Sequence, residues 1–151
     1  MIYFADTSAL VKRYLSETGS AYVRRLCAEP QALVYQGFLS PLEITSAFYR
    51  HYRAGDLSAE ALSLLLRSYA EHSGQEYRFV RYTQVLMDLA NRLIARHPIR
   101  TLDAIQLASA LWLRDHLPGN VPAPIFVSAD DRLVAFALQE HLQAENPEKH
   151  P

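Results

Sequence analysis

The apolar positions of the chain keep two rhythms. Ile2-Tyr3-Phe4-Ala5 is an unbroken apolar run, the pattern of a parallel strand buried on both faces. It ends at Asp6, after which Leu10, Val11, Tyr14 and Leu15 recur at helical spacing, so Asp6 falls at a strand-to-helix turn. Open parallel sheets hold their ligands at such turns. The arrangement returns late in the chain, where Ile125-Phe126-Val127-Ser128-Ala129 runs into Asp130-Asp131 and the helical set Leu133, Phe136 and Ala137. Two strands are therefore expected to deliver carboxylates to one edge.

Between these ends the same reading continues. Thr18-Gly19-Ser20 breaks the first helix, and Ala21, Tyr22, Val23, Leu26 and Cys27 continue at helical spacing up to Glu29-Pro30. Ala32–Tyr35 reads as a second strand, and Ser40-Pro41-Leu42-Glu43 as a helix start with a cap, an early proline and an acid three residues on. That helix is expected to reach Arg53-Ala54-Gly55, and a second, opened by Asp56-Leu57-Ser58, to run through Leu62, Leu65 and Tyr69 to Ser73-Gly74. Tyr77–Val80 is a third strand, followed by a helix carrying Val85, Leu86, Leu89, Leu93 and Ile94 that His97-Pro98 stops. Thr101 is placed to cap a helix with Leu102, Ile105, Leu107, Ala108 and Leu111, while Pro122 and Pro124 exclude a central strand before Ile125. Strands alternating with helices predict an α/β fold, a three-layer α/β/α sandwich with a mainly parallel central sheet. Residues 1–147 read as one domain and 148–151 as a solvated tail.

Composition narrows the class. Half of the 151 residues are apolar and 21% are charged, which fits a globular domain large enough to form its own core. Cys27 is the only cysteine, so an internal disulfide and a multi-cysteine zinc site are excluded. A cytoplasmic protein without membrane contact is expected, because no signal or spanning segment is visible. The net charge of −1 gives no general attraction to nucleic acid, so a polyanion would need a local patch. The six histidines lack metal-site spacing, the glycines form no phosphate loop, and Ser8 lacks the glycines of a nucleophile elbow.

Asp6, Glu43, Asp103 and Asp130 each fall at the start of an expected helix, where an acid is favoured by capping and by the helix dipole alone. Ser40-x-x-Glu43 is itself a capping box, and Ser128-x-x-Asp131 offers a competing register for Asp130. Their placement in the sheet changes their meaning. If the two strand ends are neighbours and the other two helices begin at the same edge, four carboxylates converge and raise one another's pKa. A hard divalent cation removes that conflict. Arg50, two turns after Glu43 on a similar face, could meet a phosphate backbone, with Lys12 and Arg13 as weaker candidates against the simpler reading of a solvated charged face.

The blocks Asp6-Thr7-Ser8-Ala9-Leu10-Val11-Lys12, Ser40-Pro41-Leu42-Glu43, Arg100-Thr101-Leu102-Asp103-Ala104-Ile105-Gln106-Leu107-Ala108 and Phe126-Val127-Ser128-Ala129-Asp130-Asp131-Arg132-Leu133 resemble, in order and spacing, the PIN-domain family. They look most like its VapC-type toxins, over residues 2–147. The resemblance implies a Mg²⁺- or Mn²⁺-dependent endoribonuclease with one or two ions held by Asp6, Glu43, Asp103 and Asp130. Thr7, Ser8 and Ser128 would orient these ligands, Ser128 standing where the family often has threonine. Hydrolysis would leave 5′-phosphate and 3′-hydroxyl ends on an RNA substrate. The resemblance also implies a small cognate antitoxin covering the site, and a homodimer. Two rivals are a catalytically silent PIN-like module that binds RNA or protein, and a phosphatase or phosphoacceptor with Asp6 as nucleophile. The latter lacks its paired aspartate, because the residue two beyond Asp6 is Ser8.

Overall fold

A computed structural model of the protein describes residues 1–150. Its strands are β1 (Ile2–Ala5), β2 (Leu33–Gly37), β3 (Tyr77–Val80), β4 (Ile125–Val127) and β5 (Ala144–Glu145). They form one sheet in the order β3-β2-β1-β4-β5, and every neighbouring pair is parallel. The helices are α1 (Thr7–Leu10), α2 (Ser20–Ala28), α3 (Ser40–Arg53), α4 (Ala59–Gln75), α5 (Gln84–Arg96), α6 (Thr101–His116) and α7 (Asp131–Gln139). The period-2 alternation of β1 divides them between the two faces. Ile2 and Phe4 pack with residues of α5, α6 and α7, while Tyr3 and Ala5 pack with residues of α1 to α4. This is the expected three-layer fold. Among the described residues, no helix is long and apolar enough to cross a membrane.

The strand order reverses direction between β1 and β4. The chain builds outward from β1 to β3 and then returns to the other side of β1, so the carboxyl ends of β1 and β4 flank a topological switch point, where α/β sheets bind ligands. Phe4 and Phe126 stack there across the two strands at 6.0 Å and are fully buried.

The end of the chain carries β5 and a 3₁₀ turn over Pro147–Lys149, with Asn146 and Pro147 buried and Glu148 and Lys149 exposed, while Pro151 of the expected tail lies outside the described residues. Two local expectations are corrected. Ser40 does not cap α3, because it is buried within the first turn and its hydroxyl accepts from Gln106 instead. Thr101 is already helical in α6, and Arg100 occupies the cap position without a side-chain cap.

Lys12 and Arg13 are also turned inward rather than toward a substrate. Arg13 pairs with Glu76 at 2.6 Å and donates to the Tyr77 hydroxyl. Lys12 is only 4% exposed, and its ammonium meets Glu148 at 2.8 Å and Glu17 at 3.2 Å. Burial pushes the Lys12 pKa down, and the two carboxylates more than reverse it. Lys12→Ala removes the aliphatic stem and both charged hydrogen bonds, whose carboxylates can return to water. We expect about 1–2 kcal/mol lower stability in urea titration and faster proteolysis near residue 148. Lys12→Met, which keeps the stem, should lose less.

Candidate active site

The candidate acids reach the switch point by separate routes. Asp6 directly follows β1 and caps α1, its Oδ1 accepting from the Ala9 amide at 3.0 Å. Ser8 Oγ donates to Oδ1 at 2.7 Å, and Ser128 Oγ, just beyond β4, donates to Oδ2 at 2.9 Å. Burial pushes the Asp6 carboxyl up to about 6; these hydrogen bonds oppose the shift, and the charge of Asp103 adds to it. The carboxylate is therefore held in place at an electrostatic cost.

Glu43, in the first turn of α3, does not close a capping box. Its Oε2 accepts from Thr7 Oγ1 at 2.8 Å and from Gln106 Nε2 at 2.5 Å, while Oε1 has no protein donor among the described residues. Gln106 lies one turn after Asp103 on α6 and is 4% exposed. The same amide nitrogen also reaches Ser40 Oγ at 3.2 Å and Thr7 Oγ1 at 3.3 Å. Its carbonyl oxygen is buried without a donor and lies against Gly37, where a Cβ would stand only 2.8 Å away. Gly37 is required for this close approach. The sequence reading did not single out Gln106, although its signal was a lone amide within the apolar run from Ala104 to Leu111, three residues after an acid.

Asp130 caps α7 through Oδ1, which accepts from the Arg132 and Leu133 amides at 2.8 and 3.3 Å. Its neighbour Asp131 faces elsewhere, bonded to Asn146 at 2.6 Å and paired with Lys149 at 3.1 Å. Asp103 accepts no hydrogen bond from the described residues. Burial pushes its pKa up, and the charges of Asp130 and Glu43 add to the rise. Asp103 is thus the electrostatic hub of the set.

A cavity of about 500 Å³ opens at this edge, lined by Asp6, Thr7, Ser8, Glu43, Asp103 and Gln106, with Arg50 at its side. Val11, Leu39, Leu42, Ala47 and Leu102 supply apolar walls. Asp130 lies in an adjoining depression that shares Asp103. The four acids therefore share one edge but do not form a closed cage. Among the described residues, no three His, Cys, Asp or Glu side chains group as a ready metal site. Oε2 of Glu43 is held by Gln106 and Thr7, and Oδ1 of Asp130 caps its own helix. All the donors are nonetheless carboxylate oxygens, the set suited to a hard cation that takes one or two protein ligands and fills its shell with water and phosphate oxygens.

No protein-family profile matches the chain. Ribonuclease VapC45 of Mycobacterium tuberculosis is 33% identical over 123 residues, 82% of either chain. The crystal structure of M. tuberculosis VapC20, a Sarcin-Ricin loop cleaving toxin, superposes with a TM-score of 0.63 at 17% identity, covering 89% of this chain and 94% of that one. VapBC2 from Rickettsia felis, bound to a DNA fragment from its promoter, gives 0.62 at 12% identity over 97% and 98%. Fold, strand-end acids and curated relatives converge: the chain belongs to the VapC family of PIN-domain ribonucleases.

Proposed function

We propose that the protein is the toxin of a toxin–antitoxin pair, an endoribonuclease that uses Mg²⁺ or Mn²⁺ held by Asp6, Glu43, Asp103 and Asp130. The observation that carries this reading is the buried Asp6 carboxylate, raised to about 6 and sharing a cavity with Asp103. Such a pair gains from a neutralising cation. When bound, one or two such ions would lower the pKa of an attacking water and offset charge developing on the phosphodiester.

The chain's own residues hold the frame. Ser8 and Ser128 fix the two oxygens of Asp6, and Thr7 with Gln106 fixes Oε2 of Glu43, leaving Oε1 unclaimed among the described residues. Among the described residues, Asp103 and the second oxygen of Asp130 are likewise without donors, so each is free to take a cation or its water. Arg50 lines the cavity without a carboxylate partner among the described residues and is the candidate contact for the phosphate backbone.

The VapBC complexes among its structural neighbours support a small antitoxin as partner. Leu42, 71% exposed, and Leu102, 48% exposed, give the cavity an apolar rim on which an antitoxin segment could seat. A homodimer belongs to the same reading and is read by analytical ultracentrifugation.

Purified protein with Mg²⁺ or Mn²⁺ is expected to cut RNA internally, leaving 5′-phosphate and 3′-hydroxyl ends. Chelation should stop the reaction, readdition should restore it, and Asp103→Asn should reduce it more than about a hundredfold, beyond the loss from a merely orienting partner. Cleavage that survives chelation, or is unchanged in Asp103→Asn, rejects the reading.

A further inference from the structure

Two exposed arginines stand at the other side of the acid row. Arg100 occupies the cap position of α6, and Arg132 is the second residue of α7. Both line the depression that holds Asp130 and shares Asp103 with the main cavity. A cation at a helix N-terminus opposes the helix dipole, so the helix ends do not explain either residue; both charges instead act on the Asp103 carboxyl and oppose the rise that burial gives its pKa. Close ion pairing does not explain them either. Arg13, Arg96 and Arg114 are engaged by Glu76, Glu140 and Asp115, whereas neither Arg100 nor Arg132 has a carboxylate within 4.0 Å among the described residues. One nitrogen of Arg132 donates to the Pro98 carbonyl at 3.0 Å, which fixes the guanidinium while leaving its other donors open.

Resting on the nuclease reading above, we propose that Arg100 and Arg132 are a second phosphate-binding wall, across Asp103 from Arg50. The RNA backbone then crosses the acids with guanidinium groups on both sides of the scissile phosphate. This solves a problem set by composition: a chain of net charge −1 whose centre is anionic must offer a polyanion local cations on its approach and its exit. The planar fork of arginine can bind phosphate oxygens in pairs, which also fixes the register of the strand.

The test is RNA affinity as a function of salt, measured by fluorescence anisotropy on a labelled mixed-sequence RNA oligonucleotide. An Asp6→Asn background prevents cleavage. Each lost contact with a single strand should reduce the slope of log affinity against log salt by about 0.7, so Arg100→Gln with Arg132→Gln should reduce it by about 1.4 and weaken low-salt binding more than about tenfold. Arg100→Lys with Arg132→Lys should recover much of the slope, because the charge remains. Arg67→Gln, on the exposed side of α4, is the control and should leave it unchanged. An unchanged slope in the double glutamine variant, with RNA still bound, overturns the proposal and leaves the nuclease reading standing; the arginines would then only balance Asp103 and Asp130. Absence of both RNA binding by this protein and RNA cleavage by the wild type would overturn the nuclease reading itself, and the proposal with it.

Discussion

Asp6→Asn should abolish RNA cleavage and at the same time make the metal-free protein more stable at neutral pH. The carboxyl is buried and titrates near 6 instead of its ordinary 3.8, a gap that corresponds to about 3 kcal/mol. Well below pH 3.8 the group is protonated in the folded and unfolded chains alike, and burial carries no ionic cost. Between pH 3.8 and about 6 the unfolded chain releases the proton while the folded protein holds it, so stability falls as pH rises and the loss is complete once the folded carboxyl has ionised above about 6. Asparagine carries no such charge. Ser8 and Ser128 can rotate their hydroxyls toward the amide, while the Ala9 amide still finds an oxygen. In EDTA, the difference in unfolding free energy between variant and wild type should grow by about 1–3 kcal/mol from pH 4.5 to pH 7.5. Added Mg²⁺ should raise the wild-type melting temperature at pH 7.5 and leave Asp6→Asn nearly unmoved, since a ligand stabilises only the state it binds. A pH-independent difference between the two proteins would refute the burial account.

Gln106→Ala is expected to lower kcat about 10–100-fold, the usual loss when a side chain that orients a ligand is removed. It takes away a donor from Glu43, and no other described residue except Thr7 donates to that carboxylate. Gly37→Ala should reach the same result from the other side. A Cβ at 37 would stand 2.8 Å from Gln106 Oε1 and 3.4 Å from its Cδ, and the amide cannot yield without leaving Glu43. Overpacking of this kind costs about 1–3 kcal/mol of stability. In the Gln106→Ala background that cost should largely vanish, because the clashing atoms are gone. A double-mutant cycle should therefore return a coupling of about 1–2 kcal/mol in stability and a strongly non-additive loss of kcat. Additive effects would mean that Gly37 does not act through Gln106.

The framework of this site is legible in the chain because it rests on patterns of short range. The apolar runs that end at Asp6 and before Ser128 mark β1 and β4, and the helical rhythm after Leu42 and Leu102 marks α3 and α6. That Asp6, Glu43, Asp103 and Asp130 reach one edge follows from the alternation of these elements. The details that escape are those decided by distant partners. Ser40 looks like a cap until Gln106, 66 positions later, claims its hydroxyl. Lys12 looks like a substrate contact until Glu148, 136 positions away, draws it inside. A two-residue strand such as β5 has no periodicity to read, and it is held by pairing with β4. That Asp131 turns away from Asp103 while its neighbour Asp130 shares a depression with it rests on Asn146, whose side chain holds Asp131 toward the end of the chain.

The pairing of β1 with β4 also bears on when during folding the protein acquires its chemistry. Asp6 and Ser128 are 122 positions apart, and closing so long a loop is an entropically slow step compared with forming the neighbouring hairpin of helices α3 and α4. The surroundings of Asp6 described above, with Ser128 holding its second oxygen, therefore exist only once β1 and β4 have paired.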